Sequence, residues 1–300
     1  MTLRFVAPAL GLLLGWVTYS GAASGQAAPD HERAPLYYEV HGGIVGALLV
    51  GSVALHVSYP TTAGADPGWF PGDQSPRGRR SGPAAELSNT LMALTVAAPV
   101  FTELGRGANA RFANFGIVYG QDVTTNLVLN GISKLTFRRP RPYTYGLPVK
   151  DDLDPRERNV SFYSGHTSTA FTAAVAGSLL YAESGPTRTG KLIVWGSDML
   201  LAGATSNLRI RAGKHYYSDV LVGALVGTGI GVLVPVLHGL RYEPDGAEYL
   251  VASSGLVLGV VISELLPMQF VKLQEHATNT WNVAPWASGA GMGLTANGAF

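Results

Sequence analysis

Seven long apolar stretches punctuate the chain, and that pattern limits its fold more than any other feature. They cover residues 41–58, 87–104, 112–129, 167–182, 192–204, 220–237 and 249–266. Each exceeds ordinary strand length, and most are rich in alanine, leucine and glycine, so each reads as a helix. Proline and glycine cluster between them. Only 14% of the residues are charged while 47% are hydrophobic, against a usual charged share of about a quarter. The expectation is an all-α helical bundle of about six core helices. One stretch, 220–237, runs 18 residues without a charge and approaches the length of a membrane span. Others are interrupted by Glu103, by Gln121-Asp122 or by Asp198. Ionisable groups inside a membrane helix are costly and face a bundle interior. Membrane spans and a water-soluble periplasmic bundle both fit at this level.

The N-terminus reads as an export signal over residues 1–28. Arg4 supplies the positive start, 5–17 the apolar core, and Gly21-Ala22-Ala23-Ser24 and Ala27-Ala28 the small residues that suit cleavage. An uncleaved first anchor is the other reading. The helical domain is expected over 36–240, followed by a C-terminal extension, 241–300, to which no role attaches. That extension is too short for an eight-stranded barrel, so its tail ending in Phe300 reads as a single hairpin. The chain has no cysteine, which excludes disulfides, thiolate zinc sites and thiol catalysis. A net charge of +1 without a basic stripe gives no footprint for nucleic acid. Nothing in the pattern sets an oligomeric state.

Three segments concentrate cations and histidines in this weakly charged background. The first is Lys134-Leu-Thr-Phe-Arg138-Arg139-Pro140-Arg141-Pro142, at the end of an apolar helix. Four cations within eight residues repel one another unless an anion sits among them, and phosphate suits arginine forks and a lysine point charge. A solvated basic loop explains this segment alone equally well. The second is Ser161-Phe162-Tyr163-Ser164-Gly165-His166-Thr167-Ser168-Thr169, before an alanine-rich helix. A helix N-terminus with Ser164 and Gly165 offers free N–H groups to an anion, with His166 in the first turn; by itself it reads more simply as a Ser/Thr cap. The third runs from Arg209 through Gly213, Lys214 and His215 to Asp219, entering the most apolar helix. His215 and Asp219 are four apart, so they share a helix face. A carboxylate there can take one imidazole N–H and leave the other nitrogen free to attack, although in isolation the pair reads as a surface contact.

Together, Lys134 with Arg141-Pro142, then Ser164-Gly165-His166, then Arg209 with His215 and Asp219 resemble the signature of the type 2 phosphatidic acid phosphatase and vanadium haloperoxidase superfamily. The resemblance covers about 87–237. Two positions depart from it: Tyr163 stands where the family usually has proline, giving up loop rigidity, and Leu208 where it usually has serine, removing a hydrogen bond near the phosphate.

The resemblance implies a bundle with its active site at one end and a metal-independent phosphatase acting on a phosphomonoester or diphosphate. It implies His215 as nucleophile and Asp219 orienting it. His166 serves as acid and then base. Lys134, Arg141, Arg209 and the backbone at Ser164, Gly165 and His166 hold the phosphoryl oxygens. No cofactor is implied, apart from vanadate under the haloperoxidase alternative; a non-catalytic envelope protein keeping the fold is the third reading. The aspartates at 151, 152 and 154 lack metal-ligand spacing and read as a solvated loop. Arg138, Arg139, Arg211 and Lys214 read as flanking cations. The expected partner is a phosphorylated lipid or small phosphoester, with the protein exported to the envelope, membrane-associated or periplasmic. One conflict follows. If the signal is removed and every later stretch spans, the three segments fall on the inner side, whereas the resemblance implies an outward-facing site.

Overall fold

The computed structural model describes residues 38–64, 70–145 and 155–266, and the backbone of 282–288 and 291–297. Residues 1–28 and the aspartates at 151, 152 and 154 lie outside the described residues. Every apolar stretch is a helix: α1 (Tyr38–Val57), α2 (Gly82–Leu104), α3 (Ala110–Phe137), α4 (Gly165–Glu183), α5 (Arg188–Arg211), α6 (Tyr217–Leu237) and α7 (Gly246–Leu265). Among the described residues the fold is all-α up to an antiparallel hairpin, β1 (Asn282–Ser288) with β2 (Gly291–Asn297), in which Ser288 faces Gly291.

The helix starts carry side-chain caps. Ser81 accepts from Ala84 N–H, Asn109 from Arg111 and Phe112, Thr187 from Gly190, and Asp245 forms a capping box with Glu248. Each of these satisfies first-turn donors that have no partner within the helix. Two helices outrun their apolar stretches. α3 continues past 129 to take in Lys134, and α5 continues past 204 to take in Arg209. These last turns look polar in sequence because they carry the site.

α4 is the central helix, buried along most of its length and packed against α2, α3, α5 and α6. Its Phe171, Val175 and Leu179 share a core with Trp195 and Met199 of α5 and Leu256 of α7. α6 lies along α4 on a row of glycines at every fourth position. A Cβ on Gly223 would come within 2.8 Å of the Ser164 carbonyl oxygen, one on Gly231 within 2.9 Å of that of Thr172, and one on Gly227 would collide with the Ser168 backbone. Helices approach this closely only where side chains are absent.

The same device joins α5 to α7, where Gly203, Gly255 and Gly259 face backbone of the partner helix. α5 and α7 form the most extensive helix pair of the bundle. The bundle therefore runs beyond residue 240, where the sequence reading placed its end. The glycine seam on α7 is what lets it dock, and a hydropathy reading does not register such a seam.

Four helices are long and apolar enough to cross a membrane: α1, α2, α6 and α7. α1 buries no residue and exposes Val40, Leu49, Val50, Val53 and Val57. Large apolar surface of that extent marks a face made for an apolar partner or lipid. Successive helices alternate in direction, so the C-termini of α1, α3 and α5 meet the N-termini of α2, α4 and α6 at one end of the bundle.

Candidate active site

The side chains singled out in the sequence gather at that end. α3 stops where Arg138 turns into the left-handed region at φ 47° and Pro140 follows. Arg141 is then fixed through its own N–H, which donates to the Arg158 carbonyl at 2.8 Å. α5 ends after Arg209, and Gly213, at φ 68°, reverses the chain so that His215 returns beneath it. A Cβ on Gly213 would collide with the Arg79 carbonyl, so only glycine fits this turn.

His215 is buried, and its Nδ1 lies 2.8 Å from the Ser161 carbonyl. A carbonyl only accepts, so Nδ1 carries the hydrogen and Nε2 keeps its lone pair. This corrects the expected contact with Asp219, whose nearer oxygen stands 3.7 Å from Nδ1. The Asp219 carboxylate is engaged elsewhere. It accepts from the Tyr216 N–H at 2.9 Å and from Ser161 Oγ at 2.5 Å, and it pairs with Arg139 Nη1 at 2.7 Å. Sitting in the first turn of α6, it is drawn to that helix's own free N–H groups. It steadies His215 through Ser161 and offers negative charge nearby.

Around the imidazole stand Lys134, Arg141 and Arg209. Arg141 is 3% exposed and Arg209 4% exposed, yet among the described residues Nε and Nη1 of Arg141 and Nε of Arg209 have no hydrogen-bond acceptor. Buried guanidinium donors are costly to leave unpaired, so this pocket is chemically suited to an anion. Arg141 Nη2 pairs with Glu157 at 2.9 Å, and the Arg141 charge holds the Glu157 carboxyl below its usual value. Arg209 Nη1 donates to Ser88 Oγ at 3.1 Å and to Asn89 Oδ1 at 3.4 Å. Asn89 Oδ1 also takes His166 Nε2 at 2.7 Å.

The crowding shows in the proton affinities. Burial, then the Arg141 charge, brings Lys134 down to about 7, and the same causes bring Lys214 to about 8. Burial followed by the Arg209 charge lowers both His166 and His215. Both imidazoles are therefore neutral near pH 7, and a bound anion reverses part of the shift.

Two expected cradle members behave differently. The Ser164 N–H is taken by the Asp219 carbonyl at 3.0 Å, and its hydroxyl accepts from Thr167. Ser164 thus caps α4 and ties it to α6 instead of facing an anion, because a buried N-cap side chain is claimed by its own helix. Gly165 and His166 keep first-turn N–H groups with no intrahelical acceptor. Gly165 is needed for the fit: a Cβ there would stand 2.6 Å from Asn130 Oδ1 and 3.4 Å from Lys134 Nζ. The two sequence departures are also compensated. The Tyr163 carbonyl accepts from Asn130 Nδ2 at 2.9 Å, which pins the loop. Leu208 is buried with Ala84 and Ala212, while Ser88 supplies the Arg209 hydrogen bond.

Of the flanking cations, Lys214 joins the cluster, its Nζ 5.0 Å above the Tyr143 ring. Arg211 points away, bonding the Ser263 and Leu266 carbonyls at the end of α7. Arg138 is exposed, and Arg139 is buried in a structural ion pair with Asp73 and Asp219. Asp73, Ser88, Asn89 and Glu157 carried no motif signal, since each lies outside the three segments.

The chain order of these groups is lysine and arginine first, then a helix-N-terminal histidine, then arginine and histidine, and it closes on one pocket of charge. Residues 115–243 match the family model of the PAP2 superfamily. The PAP2 segment holds every motif residue from Lys134 to Asp219, while Asp73, Ser88 and Asn89 lie before it and α7 after it. No curated protein and no solved structure matches the chain.

Proposed function

We propose that the chain is a metal-independent phosphatase that hydrolyses a phosphomonoester or diphosphate, with a lipid phosphate as substrate, through a phosphohistidine. The observation that carries this reading is the set of buried arginine donors, on Arg141 and Arg209, that have no acceptor among the described residues, beside a histidine whose Nδ1 is held by a carbonyl so that Nε2 keeps its lone pair. The PAP2 match supports the same class of chemistry.

In the first half-reaction Nε2 of His215 attacks phosphorus in line. The P–N bond forms as the bond to the leaving oxygen breaks. His166 supplies the proton to that oxygen, which takes over the position Asn89 Oδ1 holds on Nε2. The substrate phosphate raises the proton affinity of His166 and so charges it for this step. In the second half His166 takes a proton from water, the oxygen bonds to phosphorus, and the P–N bond breaks. Lys134, Arg141, Arg209 and the N–H groups of Gly165 and His166 hold the non-bridging oxygens. Fixed charges of this kind carry most of phosphoryl-transfer catalysis. Exposed apolar helices around the site bring it to a membrane, which suits a substrate with an acyl or prenyl chain, at the outer face of an envelope membrane.

The test is a quench of the protein a few milliseconds after mixing with a labelled phosphate ester. The expected label is acid-labile and base-stable, and His215→Ala lacks both it and turnover, by about 1000-fold or more. Full activity in His215→Ala overturns the reading. So does bromination that needs vanadate and peroxide without release of phosphate.

A further inference from the structure

Behind the nucleophile lies a chain of buried charge that starts outside the PAP2 segment. Asp73 sits in the 70–81 loop and is 1% exposed. One of its oxygens accepts from the Ser218 N–H at 3.1 Å; the other accepts from Ser218 Oγ at 2.6 Å and pairs with Arg139 Nη2 at 2.9 Å. Arg139 is also 1% exposed, stacks 3.9 Å over the Tyr216 ring, and reaches Asp219 with its other terminal nitrogen at 2.7 Å. Asp219 holds Ser161, and Ser161 holds His215. The sequence Asp73, Arg139, Asp219, Ser161, His215 is continuous.

The charges in this chain decide what His215 feels. Arg139 alone against Asp219 sums to zero, so the carboxylate would be spent on the guanidinium. Asp73 adds a second negative charge on the far side of Arg139, and the trio sums to −1. That surplus matters because His215 gains positive charge as it attacks phosphorus, in a pocket already crowded with cations. We propose that Asp73 is a positioning residue for the phosphoryl transfer: by neutralising Arg139 it leaves the Asp219 charge available to the imidazole. The proposal rests on the phosphatase reading and assigns a role to a residue that no family motif contains.

Other groups face His215 from every side. Lys134 and Arg141 come from α3 and the turn after it, Arg209 from α5, His166 from α4 and Asp219 from α6. All but Asp219 either carry positive charge or acquire it. A change of one unit in the Asp73–Arg139–Asp219 trio is therefore felt against the same surrounding groups in wild type and variant.

Asp73→Asn keeps the shape and the acceptor for the Ser218 N–H but removes one charge, and its amide NH2 replaces the oxygen that accepts from Ser218 Oγ and Arg139. The expected result is a kcat about tenfold lower with KM within twofold, since Asp73 touches no substrate. The acid limb of the kcat/KM profile moves down by about one pH unit, because the imidazolium loses its counter-charge. Arg139→Gln does the reverse and moves the acid limb up. The double variant carries Asp219 alone, sums again to −1, and returns limb and kcat towards wild type. A residue that merely braces the fold lowers activity at every pH and leaves the limb in place, and a double variant is then worse than either single one.

Wild-type activity in Asp73→Asn overturns the proposal, and so does failure of the double variant to recover. Should Asp73→Asn not fold, as read by its thermal transition, the upward shift in Arg139→Gln still decides, and its absence overturns the proposal. A wild-type protein that releases no phosphate from any ester overturns the phosphatase reading instead, so the two failures are distinct.

Discussion

Lys134 places its ammonium beside Arg141 and Arg209 in a half-buried setting, and its proton affinity falls to about 7 from a usual 10.5. In the free protein it is charged below that value and neutral above it. The cradle thus loses one positive charge as pH rises through about 7, while a bound phosphate holds the proton on. The expected outcome is a KM that rises several-fold from about pH 6 to about pH 9 with little change in kcat. Lys134→Arg keeps its charge throughout, so its KM stays nearly flat over that range. Steady-state kinetics at fixed ionic strength check both. At this scale the sequence was legible where residue type itself carries the signal: the lysine, the two arginines and the two histidines singled out by motif lie together at one end of the bundle. It was illegible where a partner is a backbone atom or a distant side chain. The Ser161 carbonyl that holds His215 has no sequence signature, and Asn89, which holds His166, sits 77 residues from it in an unmarked helix.

The glycines of α6 show what an element contributes. Gly227 meets the Ser168 backbone of α4, whereas Gly229 has nothing within 4 Å of a Cβ. Gly227→Val is expected to cost roughly 1–3 kcal/mol by forcing the two helices apart. Because Ser164 at the start of α4 is tied to Asp219 at the start of α6, the same change also lowers activity. Gly229→Ala is expected to be neutral or to stabilise by up to about 1 kcal/mol, since alanine favours helix. Thermal unfolding in detergent separates the two. Helix existence was readable from the length of the apolar runs. Helix ends were not, because the last turns of α3 and α5 are polar for the sake of the site. The docking of α7 on α5 was unreadable for a different reason, since a glycine that faces a partner and one that faces nothing are the same letter.

For the whole molecule the decisive feature is direction. Tyr38 at the start of α1 bonds Asn114 near the start of α3, whereas Tyr59, just past the end of α1, lies under Lys134. The start of α1 and the site are therefore at opposite ends of the bundle. If the apolar helices span a bilayer, those ends face opposite compartments, which turns the conflict between a removed signal and an outward-facing site into a measurement. The chain has no cysteine, so single cysteines report cleanly. Gln74→Cys at the site end and Thr189→Cys at the far end are both exposed positions. An impermeant maleimide is expected to label one of them in intact cells and the other only after lysis. Labelling of both from one side rules out a spanning bundle.

The sequence by itself determined that this chain is a bundle of apolar helices and that its motif cations and histidines fall in three pieces of it. Both follow from local properties, hydropathy run length in one case and residue type at short spacing in the other. The tertiary structure alone decided that Ser161 rather than Asp219 bonds His215 Nδ1, that Ser164 caps a helix, and that Asp73 lies behind Arg139. Each of these depends on which long-range neighbour reaches a polar group first. Inside a bundle that competition is settled by how closely the helices pack.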